Sequence, residues 1–199
     1  MISKINGENA GSHSFRWMII LSSALLGSAS GSALANCDTS SLSGLYATKT
    51  QGSVVGVFDS AGALHPLTTP QLVSGVGQVT FDGTGSFVRQ DVAVNSGVVL
   101  GSPAPLSDTG FRTGQSGTYM VAADCTGTIS LSVPGGTTID FAAVLADSGR
   151  NVIAVVNKEH VPALPPAIVP AGASCDAGVG CAVGVNVLVE FTKVFTGRR

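Results

Sequence analysis

The sequence predicts an all-β fold and, within that class, an antiparallel up-and-down β-barrel of about eight strands; a two-sheet β-sandwich is the alternative. The chain contains eight to ten short runs rich in Val, Thr and aromatic residues. Most of these runs are joined by short turns that contain glycine, and no segment shows the periodicity of an amphipathic helix. Consecutive antiparallel strands with short links form a meander, and a long meander removes its unpaired edges by closing on itself.

The predicted strands follow one another along the chain. They are GLYATKT from Gly44, SVVGVF from Ser53, QLVSGVGQVTF from Gln71, SFVRQDVAV from Ser86, GTYMVAA from Gly117, TISLSV from Thr128, TTIDFAAVL from Thr137 and NVIAVVN from Asn151. Between the third and fourth runs, Asp82-Gly83 supplies the positive φ that a tight hairpin requires.

The last run, AVGVNVLVEFTKVF from Ala182, carries the clearest strand pattern. One row of side chains consists of Val183, Val185, Val187, Val189 and Phe191, and the other of Gly184, Asn186, Leu188 and Glu190. A period of two places one apolar row towards a core and the more polar row outward.

Residues 1–35 are predicted to be a secretory signal peptide that is cleaved after about Ala35. Basic residues precede an apolar run from about Trp17 to Leu26, and small residues follow it, which is the order that the export machinery reads. The apolar run is only about half as long as a membrane-spanning helix needs, so export is favoured over anchoring. We expect residues 36–199 to form a single exported domain, periplasmic or extracellular, without a membrane span.

The charge balance of the mature chain is weakly acidic. The whole chain has ten Lys plus Arg and twelve Asp plus Glu; residues 1–35 hold two basic residues and one acidic residue, which leaves eight and eleven, a net charge of −3. No basic surface for nucleic acid is therefore expected. Charged residues make up only 11% of the chain, against about a quarter in typical globular proteins. An outer-membrane barrel is a lesser alternative, because only 6% of the residues are aromatic and such barrels carry aromatic girdles.

The four cysteines, Cys37, Cys125, Cys175 and Cys181, all lie in the mature chain. An even number in an oxidising compartment indicates two disulfides. Of the three possible pairings we favour Cys175 with Cys181, because the glycines of the intervening DAGVG let the chain turn back, and therefore Cys37 with Cys125. Lipidation of Cys37 is a lesser alternative, since the preceding residues resemble a lipobox only in part and Cys125 would lose its partner.

A long Pro-rich loop that contains two cysteines, residues 157–182, precedes the last strand. Its prolines, Pro162, Pro165, Pro166 and Pro170, exclude a regular helix, and apolar residues lie between them. We expect the loop to pack on its own barrel, pinned by Cys175 and Cys181. A lid over the barrel mouth and an apolar edge that meets a partner are the alternatives.

The sequence contains no recognisable catalytic motif. A nucleophile elbow, a zinc-binding HExxH, a phosphate loop and a dinucleotide fingerprint are all absent from it, and we predict no catalytic, metal-binding or cofactor-binding residues and no cofactor. Lys158 to His160 could form a base with an orienting carboxylate, but a solvated strand end is the expectation. His65 is expected in a turn, and Asp124 is expected to accept backbone hydrogen bonds in its own turn. Tyr46 and Tyr119 could point into or out of the barrel.

The order of several segments resembles a known family. SGLYATKT, QVTFDGTGSF, SGTYMVAADCTGTISL, IDFAAVLADSGRNVIAVV and a final strand are similar to exported bacterial proteins whose barrel is grouped with allene-oxide-cyclase-like, calycin-type domains. The resemblance covers most of Gly44 to Val156 and is most specific between Gly117 and Thr128. It implies a small eight-stranded barrel with an interior; it does not imply cyclase activity, because no catalytic residue of the plant enzymes can be placed on this chain.

Three functional hypotheses follow from these expectations. The first is a non-enzymatic binding module that holds a small hydrophobic ligand inside the barrel. The second is a structural or protein-interaction module whose barrel is filled by its own side chains, and the third is a cyclase-like or isomerase-like enzyme. A cavity above about 300 Å³ favours the first, and convergence of two or more titratable groups inside the barrel favours the third. The oligomeric state stays open.

Overall fold

The computed structural model of the chain describes residues 36–100, 104–175 and 180–195. The predicted signal peptide lies outside the described residues. The strands are β1 (Ser43–Phe58), β2 (Leu64–Asp82), β3 (Ser86–Asn95), β4 (Val98–Leu100), β5 (Arg112–Val121), β6 (Thr126–Val133), β7 (Thr137–Ala146), β8 (Asn151–Val161) and β9 (Cys181–Lys193). Helical residues in these ranges are confined to single 3₁₀ turns at Thr39–Ser41, Asp147–Gly149 and Pro166–Ile168, and none of these is long and apolar enough to cross a bilayer.

Eight of the strands form one closed antiparallel barrel. Each strand pairs with its neighbours along the chain, β3 pairs directly with β5, and the circle is closed by pairing of β1 with both β2 and β9. The short strand β4 is extra and extends the end of β3. The predicted all-β up-and-down barrel is therefore confirmed, and the two-sheet sandwich is not formed.

Several strands are longer than predicted. The runs from Gly44 and Ser53 belong to the single strand β1, which continues through a bulge beside Gly56. Strand β2 starts at Leu64 rather than Gln71, and its first residues pair with the far end of β1. His65 thus lies in a strand, and its assignment to a turn was wrong. The reason is that β1 is long enough to offer a pairing edge beyond the predicted hairpin.

One half of the barrel interior is filled by aromatic side chains, and we call it the closed half. Phe81 lies at its centre, with ring centroids of four neighbours between 4.9 and 6.1 Å away. Those neighbours are Tyr46, Phe87, Tyr119 and Phe191. All five rings are buried. Phe81 meets Tyr46 and Tyr119 edge to face, and these contacts add to the hydrophobic stabilisation of this half.

Both tyrosines point inward, and each hydroxyl group has a partner. The Tyr46 hydroxyl donates to the carbonyl oxygen of Gly149 at 2.6 Å, and the Tyr119 hydroxyl donates to that of Leu42 at 2.7 Å. Burial is the main reason that the pKa of each tyrosine is raised. These bonds attach the segment before β1 and the β7–β8 turn to the closed half.

Two disulfides reinforce the barrel, with the predicted pairing. Cys37 bonds to Cys125, with Cα atoms 5.0 Å apart, and Cys175 bonds to Cys181, with Cα atoms 4.4 Å apart. The first disulfide uses the Cys37 sulfur, which leaves no valence there for a lipid. Asp124 accepts from the Thr126 backbone at 3.0 Å, as predicted for this turn. Two disulfides fit an oxidising environment outside the cytoplasm.

The long link before β9 packs on the barrel. It starts only after Val161, because residues 157–161, which were predicted to belong to the loop, continue β8, and residues 158–161 pair with β7 or β9. Leu164, Ala173 and Cys175 contact a buried apolar cluster centred on Val57 and Val183. The Ser174 backbone also donates to the Phe58 carbonyl oxygen at 3.3 Å. The link therefore covers part of the barrel end opposite the closed half.

Candidate ligand-binding cavity

A cavity of about 270 Å³ occupies the other half of the barrel interior. Its wall is mainly apolar and includes Val54, Val133, Phe141, Val156, Leu164 and Val187. Leu164 comes from the long link, so this link contributes part of the wall. The volume lies slightly below the 300 Å³ or so at which drug-sized sites begin, and it is well above the cavity of about 150 Å³ that holds a benzene molecule.

A buried cluster of charged side chains forms one side of this cavity. The Asp91 carboxylate receives Arg112 in a bidentate pair, with Nε 2.8 Å from Oδ1 and Nη2 2.8 Å from Oδ2. Arg89 Nη2 donates to Oδ2 at 2.8 Å, and Gln115 Nε2 donates to Oδ1 at 2.7 Å. We call these four residues the Asp91 cluster. Four short hydrogen bonds on one carboxylate hold both guanidinium groups in place.

A β-bulge assembles the Asp91 cluster. Arg89 pairs with Gln115 and Asp91 pairs with Arg112, so that β5 carries one more residue than β3 between the two pairs. Gly114 lies in this irregular stretch with φ of +73°, a conformation that glycine adopts without strain. Such a bulge redirects neighbouring side chains, and here it brings both Arg112 and Gln115 to Asp91.

The glycine opposite Asp91 makes room for the cluster. A Cβ atom on Gly77 would lie 2.9 Å from the Asp91 Cβ and 2.9 Å from the Thr48 Oγ1. It would also lie 2.6 Å from the Gln90 carbonyl oxygen. All three distances are shorter than normal van der Waals contact, so only a residue without a side chain fits between β1 and β3 at this point.

The cluster controls the protonation of its members. Burial alone would raise the pKa of Asp91. Two effects outweigh burial: the positive charges of Arg89 and Arg112, and the hydrogen bonds from Arg112 and Gln115. The pKa of Asp91 therefore lies below its ordinary value of 3.8. Burial and the nearby Arg112 lower the pKa of Arg89, against the opposing effect of Asp91. Asp91 is therefore ionised at neutral pH, and the cluster contains two positive charges and one negative charge.

A second carboxyl group, that of Glu159, lines the cavity from β8. Asp140 pairs with Lys158 whereas Phe141 pairs with Val156, so Asn157 is an extra residue in β8. This bulge places both Val156 and Glu159 on the cavity wall. Burial raises the pKa of Glu159 above its ordinary value of 4.5, and the carboxyl group makes no hydrogen bond or ion pair with the described residues.

Glu159 therefore differs from the sequence-based expectation. Lys158 is exposed, as a solvated strand end would be, but Glu159 faces the interior. The prediction of a solvated trio was wrong for Glu159, because the bulge reverses the alternation at that point. His160 lies against Gly180, the residue before β9.

Other polar atoms in this half lack partners. The Oγ1 atoms of Thr48 and Thr50 and the Oε1 atom of Gln115 are buried without a hydrogen bond in the described part of the chain, and Thr50 lines the cavity. Buried polar atoms normally have partners, so an occupant of the cavity with a polar group would give Thr50 a hydrogen-bond partner. Within the described residues, no three His, Cys, Asp or Glu side chains form a group that could hold a metal.

No member of the Asp91 cluster was predicted from the sequence as a site residue. Along SFVRQDVAV, the row with Val88, Gln90, Val92 and Val94 is more apolar than the row with Phe87, Arg89, Asp91 and Ala93, although the second row faces inward. The available signals were Phe87 and Gly114, which lies three residues before the run predicted from Gly117 and inside the observed β5. An interior glycine in a strand often marks a bulge.

Comparison with protein-family models, with curated proteins and with solved structures returns no match for this chain.

Proposed function

We propose that this protein is a non-enzymatic binding module that takes a small hydrophobic ligand into the barrel cavity. The observation that carries the proposal is the cavity of about 270 Å³, lined mainly by apolar side chains, in the half of the barrel that the aromatic residues leave unfilled. Transfer of an apolar group from water into such a space is favourable. Mostly apolar walls with a few convergent polar groups are typical of small-molecule sites.

The cavity volume fits a small molecule. Since about 150 Å³ accommodates the six carbon atoms of benzene, a cavity of 270 Å³ accommodates about eleven non-hydrogen atoms by proportion. A single ring with a short chain has this size.

The proposed setting is the periplasm or the extracellular space. The basic, apolar and small segments of residues 1–35 support cleavage after about Ala35, and the two disulfides support an oxidising compartment. The resemblance to allene-oxide-cyclase-like, calycin-type barrels supports an internal ligand site in a barrel of this size.

A cyclase-like or isomerase-like enzyme is the second candidate, and one observation favours it. Arg89, Asp91, Arg112 and Glu159 all line the cavity, and titratable groups with shifted pKa values are concentrated at catalytic sites. The groups that could transfer a proton are limited to Glu159, because the Asp91 carboxylate is fully engaged by its neighbours.

Native mass spectrometry of residues 36–199 purified from the host tests the binding proposal. We expect a retained small molecule that is released on unfolding. Val156→Phe should fill the cavity and remove that molecule, whereas the matched control Val155→Phe should retain it, because Val155 is the outward neighbour and is 49% exposed. An apo mass for the wild type with a second protein attached would favour a structural module and contradict the proposal.

A further inference from the structure

The Asp91 cluster carries more positive than negative charge. Asp91 is shared by two guanidinium groups, which leaves one net positive charge inside the Asp91 cluster. The Arg89 and Arg112 side chains are only 12% and 13% exposed, and Asp91 only 2%. A guanidinium keeps its proton at neutral pH, so this excess charge cannot be relieved by deprotonation. An uncompensated charge in an apolar interior is unfavourable unless another group pairs with it.

Glu159 does not supply the missing negative charge. Asp91 and Glu159 are the two carboxyl groups among the residues of the cavity wall. None of the ion pairs in the described ranges joins Glu159 to either arginine. Burial alone shifts the pKa of Glu159, with no contribution from a neighbouring charge, which agrees with a carboxyl group that lies apart from the Asp91 cluster.

Arg89 has hydrogen-bond donors available for a ligand. A guanidinium carries five N–H groups, and the one hydrogen bond that Arg89 makes with the described residues is from Nη2 to Asp91. Its partner Arg112 instead uses both Nε and Nη2 on the same carboxylate. A planar guanidinium with unused N–H groups at the wall of an apolar cavity is suited to bidentate binding of a carboxylate.

We propose that the ligand is a small monocarboxylate with an apolar body, whose carboxylate group is bound by Arg89 at the Asp91 cluster. The inference rests on the proposed binding function and specifies the chemical class of its ligand. One negative charge on the ligand matches the one excess positive charge of the cluster. The body, of about eight or nine non-hydrogen atoms beside the carboxylate by the volume argument, lies against the valine and phenylalanine side chains of the opposite wall.

Calorimetric titration with pairs of acids and amides of equal size tests this inference. The probes are benzoate, phenylacetate and 3-phenylpropanoate, each compared with its neutral primary amide. We expect the best acid of this panel to bind at least tenfold more tightly than its amide, which is a difference of about 1.4 kcal/mol. Equal binding of acid and amide throughout the panel, or a neutral molecule retained by the protein from its host, would overturn the inference.

A variant locates the effect on the protein. Arg89→Met removes the excess charge but leaves Asp91 paired with Arg112, and the preference for the acid should disappear while binding of the amide persists. The control Arg150→Met changes an exposed arginine that lies over Phe195 outside the cavity, and the preference should persist. If Arg89→Met does not fold, the acid and amide comparison on the wild type still decides the inference.

The outcomes also separate this inference from the proposed function. A host-derived neutral ligand that Val156→Phe removes would retain the binding function and overturn the carboxylate inference. If the wild type retains no molecule and binds neither acids nor amides, both fail. A third outcome is that inorganic phosphate binds as tightly as the best acid and that Arg89→Met abolishes phosphate binding. Arg89 would then be an anion site without selectivity for an apolar body, and the inference would again be overturned.

Discussion

Replacement of Asp91 by asparagine should strongly destabilise the barrel. The substitution keeps the shape of the side chain but removes its charge and replaces one acceptor oxygen by a donor. Asp91 accepts four hydrogen bonds of 2.7–2.8 Å, from Arg89, from Arg112 twice and from Gln115. In Asp91→Asn the two buried guanidinium groups would face each other without a counter-charge.

The expected loss is about 3–5 kcal/mol, the range for removal of one partner from a buried ion pair. Domains are stable by about 5–15 kcal/mol in total, so the variant loses a large part of its stability. For a domain of this size, the loss corresponds to a decrease in Tm of roughly 6–20 °C. The cost arises from the arginines that stay buried, and it therefore exceeds the value of an ordinary neutral hydrogen bond.

Urea unfolding of residues 36–199 at pH 7, followed by circular dichroism, measures the loss of unfolding free energy. Fluorescence is less suitable, because the one tryptophan, Trp17, lies in the predicted signal peptide. Asp140→Asn is the control, since Asp140 accepts from Ser130 on the outer face, and it should cost less than about 1 kcal/mol. The pKa of Asp91 is lower in the folded state than its ordinary value of 3.8. Ionised Asp91 therefore stabilises the fold above about pH 3.8, and this stabilisation is lost as the pH falls through the lowered pKa. A loss below 1 kcal/mol for Asp91→Asn at pH 7 would refute the reasoning.

Three further predictions concern other parts of the barrel. Replacement of both Cys37 and Cys125 by serine should lower the unfolding free energy by up to about 4–5 kcal/mol, because the disulfide closes a loop of 88 residues; equal urea midpoints of variant and wild type would contradict this. Gly77→Ala should lower the unfolding free energy by about 1–3 kcal/mol in the same assay, since the new methyl group would lie 2.9 Å from the Asp91 Cβ. An unchanged Tm would show that the strands can separate at no cost. Glu159→Gln should raise Tm at pH 8 and have little effect on Tm at pH 4. Burial raises the pKa of Glu159, so the charged carboxylate destabilises the folded state when the pH is above that raised pKa. Below pH 4.5 the carboxyl group is mostly neutral in both the folded and the unfolded state, and the substitution changes little. Scanning calorimetry at the two pH values measures the difference, and a Tm gain that is equal at both would count against a buried, ionisable Glu159.

The strands were predictable where the two rows of side chains differ clearly in polarity. In β9, Val187, Val189 and Phe191 are buried as predicted, and Glu190 is exposed. In β3 the rows are less distinct, and Val88 is 60% exposed although its row is the more apolar one. The inward row of β3 is set by its pairing with β2, in which Phe87 lies opposite Phe81, and such pairing across strands is not visible in one segment.

Bulges are the second reason that the site could not be predicted. The extra residues near Gly114 and at Asn157 each change which side chains face inward. They bring Arg112 to Asp91 and turn Glu159 into the cavity. A bulge is defined by the register between two strands, so an alternating pattern read along one strand fails where a bulge occurs.

The sequence by itself determined the all-β class, the order of the meander and the favoured pairing of the cysteines, because alternation, glycine turns and loop closure are properties of short stretches of chain. Only the tertiary structure decided that the barrel has a filled aromatic half and an open apolar half. It also decided that Arg89, Arg112 and Asp91 meet in the interior. Whether a charge is buried depends on the side chains that face it from other strands, and the closure of the barrel brings those strands together.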